Sequence, residues 1–399
     1  MGKLRPYSDP PSAHRGTIVI AGSMAQMPGH GGHAWVFLQY LLGFRSLGWD
    51  VLFLDALDTN ACTDESGRIC AATDSRQAHY LHEVMTQFGL GESYAILLGT
   101  TGSTIGIRRP ALIERLRHAA FFVNVMGFIR DDEILAAAPR RVFLDIDPGF
   151  GQMWQALGLA DIFAGHDDFV TIGENIGQPD CRIPTCGLRW ITTPQPVVLE
   201  QWPTTTPPPQ APLTSVATWR GIFGPVEYEG TVYGLRVHEF RKFATLPTRI
   251  PFACELALAI HANDEKDLAL LKHNSWRITD PNIVAANPSK YRSYIQQSAA
   301  EFMVAKGMYV QARSGWLSDR SLCYLASGRP VIAQDTGLDE RYLTKRGLLA
   351  FRSVDEAVEN ALELHRDYAS HARAARELAE TYFDSNFVLT RFLTALSIN

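Results

Sequence analysis

Cysteine is scarce in this chain: six in 399 residues, too few to staple a protein of this size. Cys181 and Cys186 have four residues between them but no second pair at zinc spacing. His261 and His273 are too scattered to complete such a set, so no structural metal is expected. Long apolar runs are also missing. The longest, Ala119 to Phe128, is about half a membrane span and contains Asn124. No stable membrane insertion is therefore expected. Residues 1–15 are polar, carry three prolines and have no apolar core of the kind a signal peptide needs, so the expected location is cytoplasmic. Charge of one sign is lacking as well. A net charge of −5 and a pI near 6.2 leave no broad basic face, which argues against a duplex nucleic-acid partner. No internal repeat is visible.

What remains is a globular composition, 46% apolar and 20% charged, on a length that suits two domains. Thr17 to Gly22 is a buried strand, followed by a loop holding Pro28-Gly29-His30-Gly31-Gly32. A helix from about His33 to Leu47 and a strand at Val51 to Leu54 complete a βαβ unit with a glycine-rich first turn. Gly-x-Gly-x-x-Gly is absent, and with it the dinucleotide fingerprint. Helices at Ser75 to Phe88, Pro110 to His118 and Asp131 to Ala138 alternate with strands at Tyr94 to Leu98, Phe121 to Val125 and Arg141 to Ile146. Ile162 to Ala164 and Phe169 to Ile172 read as shorter strands. Thr192 to Pro212 holds seven prolines and reads as an extended, semi-rigid linker. A second α/β set follows, with strands at Ser215 to Thr218, Phe252 to Ile260, Trp276 to Ile278, Met308 to Val310, Val331 to Ala333 and Leu348 to Phe351. Its helices are Asp264 to His273, Pro288 to Ala300 and Val354 to His365, and the tail is helical with a break near Phe383.

The stretch Arg313 to Ile332 concentrates chemistry. Ser318 and Asp319 are good helix N-caps, and Gly328 and Pro330 stop the helix. A helix start flanked by Arg313 and Arg320, with Ser314 and Ser321 nearby, suits a phosphate. Asp319 beside it can accept sugar hydroxyls, as carboxylates do on a ribose. In the first half, His30 and His33 flank the glycine pair, and a histidine titrates near working pH. Asp145 and Asp147 compete for the same proton-accepting role, or orient the histidine. His166-Asp167-Asp168 is a third candidate.

The helix that ends in Ala326-Ser327-Gly328-Arg329-Pro330-Val331-Ile332 resembles the segment closing the donor half of nucleotide-sugar glycosyltransferases of the GT-B type, bacterial family 1 and family 4-like. Gly31 and Gly32, together with the turn Gly48-Trp49-Asp50-Val51, resemble the first loop of the same enzymes. The resemblance implies two facing Rossmann-like domains with C-terminal helices: residues 16–193 for the acceptor, a linker at 194–212, 213–368 for the nucleotide sugar, and helices over 369–399. It implies that Gly31 and Gly32 let the backbone approach the donor phosphates and that Arg220 binds phosphate. Ser215 and Thr218 would add hydroxyl contacts, and Lys306 or Arg313 a second cation. A hexosyl group would then pass from a nucleoside-diphosphate sugar to a small-molecule or glycan acceptor, with no cofactor and no metal beyond that co-substrate. The Gly/Thr-rich loop Gly99 to Gly106 suits a bulky acceptor.

Two departures stand out. The family's Glu-x7-Glu pair falls on Gly315 and Cys323, and the His-x-Gly-x-Gly-Thr loop of natural-product members is missing. Stereochemistry is therefore not assigned by the resemblance. The alternatives are a nucleotide-sugar epimerase on the same fold and a non-catalytic nucleotide- or sugar-binding protein.

Overall fold

The computed structural model describes residues 15–99, 102–221, 223–338, 341–342 and 344–398. The polar segment 1–15, except Arg15, and Thr100 and Thr101 of the Gly/Thr-rich loop lie outside the described residues. In the first half, β1 (Thr17–Ala21) leads through α1 (Gly31–Ser46) to β2 (Asp50–Leu57), then α2 (Arg76–Gln87) and β3 (Tyr94–Leu98). The edge strand β4 (Ser103–Gly106) follows, then α3 (Arg109–Arg117), β5 (Ala119–Val125), α4 (Asp132–Ala137), β6 (Arg141–Asp145), α5 (Phe150–Ala156), β7 (Asp168–Thr171) and β8 (Trp190–Thr192). The strand order is β4-β3-β2-β1-β5-β6-β7-β8, parallel except for β4. Part of the Gly99–Gly106 loop is thus an edge strand paired with β3.

In the second half, β9 (Leu213–Thr218) leads to a small hairpin, β10 (Val226–Tyr228) and β11 (Thr231–Tyr233), and to α6 (Arg236–Phe240). Then come β12 (Cys254–Ala259), α7 (Glu265–His273), β13 (Trp276–Thr279), α8 (Pro281–Val284) and α9 (Pro288–Gln297). They are followed by β14 (Ala300–Met303), α10 (Gly307–Ala312), α11 (Asp319–Ala326), β15 (Val331–Gln334), β16 (Leu348–Phe351) and α12 (Val354–Arg366). The sheet order is β13-β12-β9-β14-β15-β16, all parallel. The tail comprises α13 (Tyr368–Leu378), a π-turn at Ala379–Phe383 and α14 (Ser385–Ala395). Alternating strands and helices force parallel pairing, with helices on both faces, which is the doubly wound arrangement.

Three sequence expectations are corrected. The strand expected at Met308 to Val310 is helix α10. The strand itself lies earlier, at Ala300–Met303, where the expected helix ran on to Ala300. Glu301 hid this strand: a carboxylate is rare inside a buried parallel strand, and here it survives by pairing with Arg320. Ile162 to Ala164 forms no strand.

The proline-rich segment is also less of a tether than its composition suggests. Val197, Val198 and Trp202 are buried, and Trp202 packs on Trp35 of α1 and Tyr291 of α9. Within the segment only Glu200, 203–206 and 208–210 are exposed. Helix α14 returns to the first half, where Leu389 meets Gly43 and Phe392 meets Phe44 of α1.

Candidate functional site

A cavity of about 340 Å³ lies between the halves. The first half contributes the β1–α1 loop and the start of α1; the second contributes the C-terminal ends of β9 and β12 and the starts of α6 and α11. The strand order of the second sheet reverses between β9 and β14, and open α/β sheets bind ligands at the crevice such a switch point leaves. Arg320 marks the spot. Its Nε pairs with Glu301 of β14, and its Nη1 donates to the Val216 carbonyl of β9 at 2.7 Å.

The cavity brings together His30, Gly32, His33, Thr218, Asp319 and Arg320 of the residues singled out in the sequence. Ser318 caps α11, its Oγ accepting the Arg320 N–H at 3.3 Å. Burial raises the pKa of Asp319, partly offset by the charge of Arg320. The His33 ring sits with Nε2 3.2 Å from the Ser23 carbonyl and 3.0 Å from Ser23 Oγ. Burial lowers its pKa to about 4, and the neighbouring His30 acts in the same direction. His33 is therefore neutral near pH 7. In the tautomer that donates Nε2–H to Ser23, its Nδ1 keeps a lone pair for a proton. His30 is exposed and held by the Pro28 carbonyl at 3.2 Å.

Other expected residues stand outside the cavity lining. Gly31 donates its N–H to the Ala285 carbonyl at 2.8 Å, so that N–H is already committed. Arg220 is paired with Asp264 at the surface. Arg313 adopts a left-handed backbone (φ 51°) with Nη1 3.9 Å from Asp335. Ser314 is buried, its Oγ accepting the Trp316 N–H at 3.2 Å, while Ser321 is buried and its hydroxyl has no hydrogen-bond partner among the described residues. Asp147 is clamped by the second half: Lys306 Nζ lies 2.6 Å from its carboxylate, and the Tyr309 hydroxyl bonds the other oxygen. Asp145 is buried beneath it, receiving Gln152 Nε2 at 2.7 Å and Thr171 Oγ1 at 2.9 Å, with burial raising its pKa to about 6. His166 bonds Asn124, and Asp167 and Asp168 are paired with Arg141 and Arg140.

Two residues were not singled out in the sequence. Arg236, at the start of α6, lines the cavity; its Nε has no partner, and no ion pair reaches it among the described residues. Burial lowers its pKa to about 10, with the charge of Arg320 adding to the effect, so it stays cationic at pH 7. An unpaired guanidinium on a cavity wall invites an anion. In the sequence it is one of four arginines between β9 and β12, with nothing local to single it out. Asp55, fully buried at the end of β2, receives the Ala25 N–H at 2.6 Å, the Ala56 N–H at 2.7 Å and Gln26 Nε2 at 3.0 Å. It fixes the β1–α1 loop, and burial raises its pKa to about 7.

A second cavity, about 790 Å³, opens at the C-terminal ends of β2 and β3 on the other side of that loop, with Gln26, Asp58 and Gly99 in its wall. Among the described residues, no three histidine, cysteine or acidic side chains converge as metal ligands, and no helix is long and apolar enough to cross a membrane.

No protein-family model and no curated protein sequence matches the chain. Solved structures do match over nearly its whole length. An α-glucosyltransferase in complex with UDP is 12% identical, with a TM-score of 0.56 over 96% of this chain and 99% of that one. HepE of Anabaena in complex with UDP-glucose is 12% identical, with a TM-score of 0.57 over 96% and 99%. Sucrose-phosphate synthase from Thermosynechococcus elongatus is 12% identical, with a TM-score of 0.53 over 96% and 100%. At these identities the likeness is one of fold. The chain has the GT-B architecture, with two Rossmann-like halves facing each other across the cleft.

Proposed function

We propose that this GT-B chain is a glycosyltransferase that moves a sugar from a nucleoside-diphosphate sugar, UDP-linked in the first instance, to a hydroxyl of an acceptor. The observation that carries the reading is Arg236, an unpaired cation beside the α11 start at the switch point of the second sheet. UDP occupies the α-glucosyltransferase and UDP-glucose occupies HepE, which supports that nucleotide. In this reading Arg236 takes the diphosphate and neutralises the charge that grows as it leaves. Asp319 receives the ribose hydroxyls, as its place at the cleft-facing helix start allows. Arg320 is held to Glu301 and the β9 end and shapes the floor. The acceptor enters from the first half, and His33 Nδ1 takes its proton.

The test is donor turnover. Incubated with UDP-glucose and a panel of sugar and small-molecule acceptors, the protein is expected to release UDP at a rate that rises with one acceptor class. Conversion of the donor without any acceptor would instead identify an epimerase. Tight UDP binding with no release under any condition would identify a binding protein.

A further inference from the structure

The chain crosses between the halves twice, and the two crossings are tied together. The Val197 N–H donates to the Phe383 carbonyl at 2.8 Å, and the Ser385 N–H donates to the Val197 carbonyl at 3.0 Å. The outgoing and returning segments meet at this tie, which makes it the natural hinge for any separation of the halves. A cavity of about 600 Å³ lies against it. Its walls come from three bodies: Thr193 and Pro194 after β8, Arg341 and Tyr342 of the second half, and α14. Tyr382 reaches the cavity from the π-turn, a local helix defect often found at functional sites.

The lining combines positive charge with aromatic surface. Glu174 is the buried carboxylate, and the Tyr342 hydroxyl already bonds it. Arg341 Nε donates to Asn175 Oδ1 at 3.0 Å, and its Nη1 lies 3.9 Å from Glu174. Arg391 is exposed, lies over the Phe387 ring at 5.4 Å, and has no carboxylate in ion-pair reach among the described residues. Arg341 Nη2 also donates to the Glu174 carbonyl, so of the two guanidinium groups on the cavity wall Arg391 is the one with no carboxylate in reach among the described residues. Phe387 keeps 48% of its surface exposed on the cavity wall. Such a ring beside an unpaired arginine offers stacking and a charge-assisted bond to the same molecule.

We propose that this hinge cavity is a second binding site, for a small anion carrying a flat apolar body, held by Arg391 and Arg341 with its ring on Phe387 and Tyr382. A ligand there touches all three bodies that shift when the halves separate, so it biases closure of the cleft. By linkage, a cleft ligand biases the hinge site to the same degree. The site stands on the hinge geometry alone and does not depend on the glycosyltransferase reading.

Phenyl phosphate serves as the probe, with inorganic phosphate and phenol as its separate parts, and binding is followed by ligand-observed NMR on the full chain. Saturable binding of phenyl phosphate at millimolar concentration is expected, tighter than that of either part. It should persist in excess UDP and in Arg236→Ala. Arg391→Ala should weaken it at least about tenfold, and Phe387→Ala should weaken it too, with folding of each variant checked by circular dichroism. Absence of saturable binding, complete displacement by UDP as at one shared site, loss in Arg236→Ala, or unchanged binding in both hinge variants would each overturn the proposal.

Discussion

At the scale of single residues, the cleft is governed by what burial does to charge. His33 is the clearest case. Its folded pKa of about 4 lies below the ordinary 6.5, so the unfolded chain binds more protons between those values. Stability therefore falls as pH drops through that window, and His33→Gln should flatten the acid limb of the stability curve. If His33 is also the proton acceptor, turnover should hold down to about pH 4.5 and fall as pH drops through about 4. His33→Ala should then cost about 10²-fold in kcat, the low end for a general base because its proton affinity is weak. A pH–rate profile centred near 6.5 would transfer the role to another group.

Arg320 makes the opposite case. It looks like a phosphate ligand in the sequence, yet it is 7% exposed and spent on Glu301, which is fully buried. Removing one partner of such a pair strands the other charge. Arg320→Ala should cost about 3–5 kcal/mol in denaturant unfolding, with a much smaller loss when Glu301→Leu accompanies Arg320→Met. A single-variant loss under about 1 kcal/mol would show the pair to be dispensable.

At the scale of elements, the glycine pair of the first loop has a role its pattern did not reveal. A Cβ on Gly31 would lie 2.2 Å from the Asn287 carbonyl oxygen, and one on Gly32 would lie 2.7 Å from the Tyr291 ring. Neither glycine has a positive φ, so turn geometry does not explain them. They let the start of α1 press against the α8–α9 segment of the other half. Gly31→Ala meets backbone that cannot yield, and should destabilise the protein by about 1–3 kcal/mol in chemical denaturation. An unchanged midpoint would mean the two halves part easily at this contact.

Close approach between the halves also occupies the two positions, Gly315 and Cys323, where the resembled enzymes have a Glu-x7-Glu pair. Gly315 has φ +71°, and any Cβ there would come within 2.8 Å of Asn175, whose amide bonds the Arg313 and Gly337 carbonyls. Cys323 is buried against Gln39 of α1. Where the family pattern has two glutamates, this chain has first-half side chains packed in. The motif could be read from one segment, but its departure could not, because the cause lies some 140–280 residues away in sequence.

At the scale of the whole molecule, periodicity and punctuation made the alternating α/β order and the break in the tail legible. The helix start at Asp319 could be read from its caps. What stayed hidden was long-range. The linker is anchored through Trp202, α14 crosses back onto α1, and one hydrophobic cluster runs through both halves. Composition shows prolines and a helix but not what they pack against. Arg236 was hidden for the same reason, since an unpaired arginine is recognisable only once its surroundings are known.

The central claim is that Arg236 and Asp319 hold opposite ends of one nucleoside diphosphate. Calorimetry with uridine, UMP and UDP on wild type, Arg236→Ala and Asp319→Ala tests it most directly. Arg236→Ala should weaken UDP by roughly 1.5–3 kcal/mol while leaving uridine unchanged, and Asp319→Ala should weaken all three alike. Wild-type affinities for every ligand in both variants would contradict the account and place the nucleotide elsewhere.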